Sequence, residues 1–171
     1  MWLGLIPLIL LKRSFNETIT REVLPTFSWF LSFIFLVILV TICSLRISRQ
    51  IHISHKDIHI LSGKFLGQYF FVRILFLVAY ELFFRGLLLF DCIEWFGIFQ
   101  AITFSTLLTV ILHVFSGKKE MWACIPYGII SCCCCISIQA VWPAIILHLA
   151  LSITYETSLL NRSLTHLKLV K

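Results

Sequence analysis

The apolar run FSWFLSFIFLVILVTICSL, residues 27 to 45, constrains this chain more than any other feature. It holds no charged residue, and as a helix rising ~1.5 Å per residue it is long enough to cross the hydrocarbon core of a bilayer. Composition extends that argument to the rest of the chain. Of 171 residues, 60% are hydrophobic and 13% charged, with 16 Phe and a mean hydropathy of +0.99. A soluble domain is nearer half apolar and a quarter charged. The expected fold is therefore all-α, a polytopic transmembrane helical bundle.

About six hydrophobic segments are expected, the first one short. WLGLIPLILL, residues 2 to 11, is followed by Lys12 and Arg13 and by no small-x-small cleavage site, so it reads as a short or half-inserted helix and not as a signal peptide. The run 27–45 is the second segment. A third extends from about Phe65 to Cys92, and after a short break, IEWFG, a fourth runs from about Ile98 to Phe115. The fifth runs from Trp122 to about Ile138, and the sixth from near Trp142 to about Leu160. No internal repeat, low-complexity linker or second domain is visible, so residues 1–171 are expected to form a single membrane domain.

Six crossings place the termini and the 46–64 and 116–121 loops on one side. That side carries Arg46, Arg49, Lys56, Lys64, Lys118, Lys119, Arg162, Lys168 and Lys171, against Lys12, Arg13 and Arg21 on the other. By the positive-inside rule the first side, with the C-terminus, is cytoplasmic. The net charge of +6 is accounted for by these short loops and does not indicate nucleic acid. The seven cysteines lie in or beside the spans, which assigns them to helix packing; Cys132 and Cys135 form a CxxC with no second pair at zinc-site spacing.

Ionisable residues inside apolar spans are expensive, and each is a candidate for function. Here they are Arg73, Glu81, Arg85, His113, His148 and, near the end of the last span, Glu156. Glu81 and Arg85 are four apart and share a helix face, as a buried ion pair or as part of a site. His113 follows Thr109 by one turn. His148, Ser152 and Glu156 form one stripe. A glutamate and histidines converging in a cavity can activate water, and an Arg, His or Ser can hold a developing oxyanion.

These residues carry a resemblance. Tyr80-Glu81-Leu82-Phe83-Phe84-Arg85-Gly86 is similar to the EExxxRG motif of the CPBP family of intramembrane proteases, which includes CaaX prenyl endopeptidases and Abi-like, bacteriocin-processing and bacteriocin-immunity proteins. Thr109 to His113 aligns with the family's FxxxH, and His148 to Ser152, after Trp142-Pro143, with HxxxN or HxxxD. The resemblance covers about residues 65–155. It implies a bundle of membrane helices enclosing a hydrophilic cavity, and hydrolysis of a peptide bond in a membrane-associated protein or peptide. Carried over, it makes Glu81 and His113 the activators of water and Arg85 the partner that orients the carboxylate. His148 and Ser152 become transition-state donors. The family, once described as metal-dependent, is now viewed as glutamate-dependent, so no cofactor and no metal are required.

Three positions depart from the family pattern: Tyr80 replaces the first glutamate, Thr109 the Phe and Ser152 the Asn or Asp. Tyr80 is then an auxiliary donor, and Thr109 stands at a packing position. The alternatives to hydrolysis are a catalytically silent relative that binds a partner or confers immunity, and a proton relay or small transporter. Expected partners are membrane lipid and a peptide or membrane-protein substrate, in the inner membrane of a bacterium. Measured along straight spans at ~1.5 Å per residue, Glu81 lies about 16 Å from the non-cytoplasmic side, His113 about 22 Å and His148 roughly 9 Å. One site then requires tilted or broken helices, or different span ends.

Two further signals stand apart. His52, His55 and His59, with Asp57, follow helical spacing and read as an interfacial segment or, less simply, a metal site. Asn16-Glu17-Thr18 matches a glycosylation sequon that matters only on a eukaryotic secretory route.

Overall fold

A computed structural model describes residues 24–49, 63–114 and 118–169. The first hydrophobic segment, the sequon and the histidines at 52, 55 and 59 lie outside them. Nearly all of the described residues are helical. Helix α1 is Phe27–Arg49, α2 is Gly63–Glu81, and a π-helical segment, Leu82–Leu88, leads into α3, Leu89–Phe96. Then follow α4, Ile98–Leu112; α5, Lys118–Ile138; and α6, Trp142–Leu169. Three stretches are long and apolar enough to cross a bilayer: Phe27–Arg49, Glu120–Ile138 and Trp142–Ser163, with Ile98–Leu112 apolar but shorter. The protein is an all-α, membrane-spanning helical protein.

Local chemistry sets the helix ends. Thr26 caps α1, its Oγ1 accepting from the Trp29 backbone N–H at 3.3 Å, which occupies one of the donors a helix start leaves over. Arg46 and Arg49 sit in the last turn, where the dipole favours cations. Pro143 falls in the first turn of α6, where a missing N–H removes no helical bond. Only one residue, Gly97, separates α3 from α4. Its φ of 89° is left-handed backbone that a side chain disfavours.

That turn revises the expected boundary. The break foreseen at IEWFG shrinks to Gly97, because α3 continues through Phe96. Glu81 and His113 now stand sixteen residues either side of Gly97. The difference in depth expected between them came from ending the third span at Cys92, and it disappears.

The chain forms two compact units. The first is built on Phe76–Ile145. Its core contains Leu89, Phe90, Cys92, Ala101, Cys132, Cys135 and Ala144. Small side chains let helices approach closely where no water drives them together. Ala101, Ser105 and Thr109 make such a stripe along α4, all with at most 1% exposure. At Gly128 of α5 a Cβ would fall 2.9 Å from the Thr106 methyl, so a larger residue there would require Thr106 to shift. Cys132 and Cys135 are free thiols used in this packing: Cys132 Sγ lies 3.9 Å from Ser105 Oγ.

The second unit comprises Thr26–Leu75 and Ile146–Lys171. Ser44 Oγ donates to the Leu151 carbonyl at 2.8 Å, Ser48 Oγ to Ser158 Oγ at 2.7 Å, and Arg162 Nη1 to the Ser48 carbonyl at 2.6 Å. Successive contacts advance along both chains together, so α1 and α6 run parallel here.

Candidate active site

The first unit encloses an ion pair. Glu81 ends α2, Arg85 lies in the π-helical segment, and neither is exposed at all. Arg85 Nε is 3.4 Å from Glu81 Oε2. Buried charges persist only when their remaining hydrogen-bonding positions are largely filled, and the neighbouring helices provide the partners. Nη1 of Arg85 donates to Thr109 Oγ1 at 3.0 Å, and Nε to Ser131 Oγ at 3.3 Å. Both hydroxyls are already oriented as acceptors. Thr109 Oγ1 donates to the Ser105 carbonyl at 2.8 Å, and Ser131 Oγ to the Gly128 carbonyl at 3.1 Å. Each hydroxyl proton is therefore directed into its own helix, and a lone pair faces the guanidinium. Arg85 Nη2 has no hydrogen-bond partner among the described residues.

On the carboxylate side, the Tyr127 hydroxyl is 3.4 Å from Glu81 Oε1 and 3.3 Å from the Ala144 carbonyl, so one proton is shared between two acceptors. The backbone between Glu81 and Arg85 is unusual. Leu89 N–H reaches back five residues to the Phe84 carbonyl, which also accepts from Ser105 Oγ at 3.1 Å. π-helical turns are rare and concentrate at functional sites. This one occupies the motif itself, where straight α-helix was expected.

His113 is placed by the end of α4. Its backbone, at φ −92° and ψ 1°, lies in the sparsely populated bridge region often used by active-site residues. Nδ1 is 2.9 Å from the Thr109 carbonyl. A carbonyl can only accept, so in the neutral ring Nδ1 carries the proton and Nε2 keeps its lone pair. Tyr80 packs against Phe84 with the rings tilted, 4.6 Å between centroids, and meets the His113 ring edge-on at 6.3 Å. Its hydroxyl oxygen is buried.

Thr109 thus connects the first two motifs, its hydroxyl to Arg85 and its carbonyl to His113. The expectation of a mere packing position there is corrected, because a buried hydroxyl beside a guanidinium is a hydrogen-bond acceptor first. Tyr127 and Ser131 were not foreseen. Their only sequence signal is a spacing of four on the fifth span, which puts both on one face.

In the second unit, His148 is half-buried on α6. Ser152, 5% exposed, donates to Glu156 Oε1 at 3.3 Å, and the same oxygen binds Arg73 Nε at 2.9 Å. Glu156 Oε2 is buried and has no hydrogen-bond partner among the described residues. No three His, Cys, Asp or Glu side chains among the described residues are grouped to hold a metal ion.

Comparison with known proteins assigns the chain to a family. The model of the family described as Type II CAAX prenyl endopeptidase Rce1-like matches residues 62–154, more than half of the chain. No curated protein and no solved structure matches significantly. The match contains the buried Glu81–Arg85 pair, His113 and His148, and the chain belongs to this Rce1-like family within the CPBP group of CaaX-type intramembrane proteases.

Proposed function

We propose that the protein is an intramembrane endopeptidase that hydrolyses a peptide bond of a membrane-associated protein or peptide, in CaaX-type or bacteriocin-type processing. The observation that carries this reading is the fully buried Glu81–Arg85 pair, with its acceptors oriented in advance, inside the segment that matches the family. In the proposed mechanism the Glu81 carboxylate takes a proton from water as it attacks the scissile carbonyl, and gives that proton to the leaving amine nitrogen as the C–N bond breaks. Arg85 holds that carboxylate in place. His113, with Nε2 unprotonated, is a second acceptor for the water, and Tyr80 is an auxiliary donor. His148 and Ser152 donate to the oxyanion.

The same proposal takes residues 1–171 as a single membrane domain of about six segments. It places the protein in a bacterial inner membrane with the C-terminus cytoplasmic and membrane lipid around the bundle. Two observations favour a second reading, a silent relative that binds a partner or confers immunity: Tyr80 stands where the family has its first glutamate, and Glu81 has no exposure.

The deciding experiment compares wild type with Glu81→Gln in liposomes, following peptide release from a panel of prenylated and unprenylated substrates. Loss of a positioned general base lowers the rate about a hundredfold to ten-thousandfold. Equal cleavage by the two proteins sinks the catalytic assignment. Undiminished biological activity of the variant, with cleavage by neither protein, selects the binding reading.

A further inference from the structure

Helix α5 offers one hydroxyl to each member of the buried ion pair. Ser131 Oγ lies 3.3 Å from Arg85 Nε, and the Tyr127 hydroxyl, four residues earlier on the same face, lies 3.4 Å from Glu81 Oε1. Their protons are held differently. That of Ser131 is committed to the Gly128 carbonyl of its own helix at 3.1 Å, which leaves Ser131 a fixed acceptor. That of Tyr127 has two destinations outside α5: Glu81 Oε1, and the Ala144 carbonyl at 3.3 Å. The phenol oxygen reaches both without moving, since only its O–H has to turn. Its neighbour Gly128 packs against Thr106 so closely that an added Cβ would lie 2.9 Å from the methyl, which steadies α5 at this point. Arg85 occupies the other carboxylate oxygen, with Nε 3.4 Å from Glu81 Oε2.

We infer that Tyr127 is a positioning residue for Glu81, a hydroxyl rotor whose direction follows the charge of the carboxylate. The inference rests on the proposed role of Glu81 as general base. A hydrogen bond to an ionised group is roughly twice as strong as one between neutral groups. While Glu81 is ionised, the Tyr127 proton therefore points at Oε1. Tyr127 and Arg85 then grip the carboxylate by its two oxygens and fix the plane in which it meets water, and Oε1 keeps a second lone pair for the water proton. When Glu81 takes that proton, its advantage as an acceptor over the Ala144 carbonyl is gone, and the O–H turns to the nearer carbonyl. Once the proton leaves with the amine, Glu81 is ionised again and the rotor returns. Tyrosine gives up no proton at any step. Phenylalanine would fill the same space and leave Oε1 free to turn away from the water.

Two measurements on the full-length protein test this role. The first needs no turnover. Infrared difference spectra of wild type against Glu81→Gln identify the Glu81 carboxyl band, and Tyr127→Phe should shift it. A ring-fluorinated tyrosine in place of Tyr127 keeps the packing and has a more acidic hydroxyl. It should shift the band the opposite way, and it reports the contact even where the phenylalanine variant does not fold. The second measurement is kinetic, in liposomes, on a peptide that wild type cleaves. Tyr127→Phe should lower kcat about tenfold, the loss of one modest hydrogen bond to a charged acceptor. KM should stay within about twofold, because the bond acts on the base and not on the bound substrate. A merely structural role would reduce the amount of folded protein and leave kcat per folded molecule unchanged. A band that neither variant moves overturns the inference, whatever the protein cleaves. So does a kcat for Tyr127→Phe equal to that of wild type. Cleavage by neither protein overturns the proteolytic reading and this role with it, and the band alone then reports whether the hydroxyl meets Glu81.

Discussion

Glu81–Arg85 and Arg73–Glu156 join the same two functional groups in different settings. The first pair lies within one turn, is completely enclosed, and has a separation of 3.4 Å. The second links α2 to α6 across 83 residues at 2.9 Å, with the arginine side chain 41% exposed and the glutamate 13%. By distance alone the second is the stronger contact. Burial reverses that order. Removing one member of an enclosed pair strands a charge where nothing solvates it, whereas a partly exposed charge finds other partners. The surroundings follow the same logic: Thr109 and Ser131 serve Arg85 with their protons turned away, while Glu156 receives the Ser152 hydroxyl at a half-open site.

The largest effect should therefore come from Arg85→Met. It leaves Glu81 buried without its cation and should cost about 3–5 kcal/mol, measured by chemical unfolding in detergent. Replacing both members, Glu81→Leu with Arg85→Met, should recover much of that loss, since apolar packing can match a buried pair. That double variant should fold and cleave nothing. If Arg85→Met is no more harmful than the corresponding change at Arg73, burial is not what separates the two pairs.

A smaller effect is expected from Thr109→Val. The shape is nearly conserved, but Arg85 loses the acceptor 3.0 Å from Nη1. A hydrogen bond to a charged group contributes about 1.5–3 kcal/mol, and the unfolding free energy should fall by that amount. The His113 contact uses the Thr109 backbone carbonyl and should survive. Loss of stability without a change in the His113 ring resonance in an NMR spectrum would support the division of labour between the hydroxyl and the carbonyl. An unfolding curve identical to wild type would show that Arg85 does not depend on Thr109.

The sequence made some of this arrangement legible and concealed the rest for physical reasons. The starts of α1 near Phe27, of α4 near Ile98 and of α6 near Trp142 follow from apolar runs bounded by Thr, Gly and Pro. The Ser152–Glu156 contact follows from a spacing of four. The π-helical segment does not, since LFFRGLL has the same apolar character as α-helix and the change lies in the backbone hydrogen bonds. Thr109, Ser131 and Tyr127 come to the ion pair from two other helices, and only packing of α4 on α5 through small residues brings them there. The sequence marks Arg73 only as an ionisable residue inside an apolar span. Its partner Glu156 is 83 residues away, a pairing no local pattern reveals.

Arg73→Met should have the smallest effect, about 1 kcal/mol or less in unfolding free energy. Three features of the pair argue for a small value. The guanidinium removed is partly exposed, so it gives up little burial. Glu156 keeps the Ser152 hydroxyl on the same oxygen. The glutamate is itself 13% exposed and can be reached by solvent or a lipid headgroup when its arginine is gone. Solvent matters most here, because the ordering of the two pairs assumes that the exposed part of Arg73 meets a polar medium. Were it facing hydrocarbon, the arginine alone would be costly there and its partner would be neutralising a charge in lipid. Arg73→Met would then lower stability as much as Arg85→Met, or raise it by removing an unfavourable charge. Unfolding both variants in detergent and again in bilayer nanodiscs distinguishes these cases: a gap of several kcal/mol between the two arginines in both media upholds the contrast, and its collapse in nanodiscs would place Arg73 in the membrane interior.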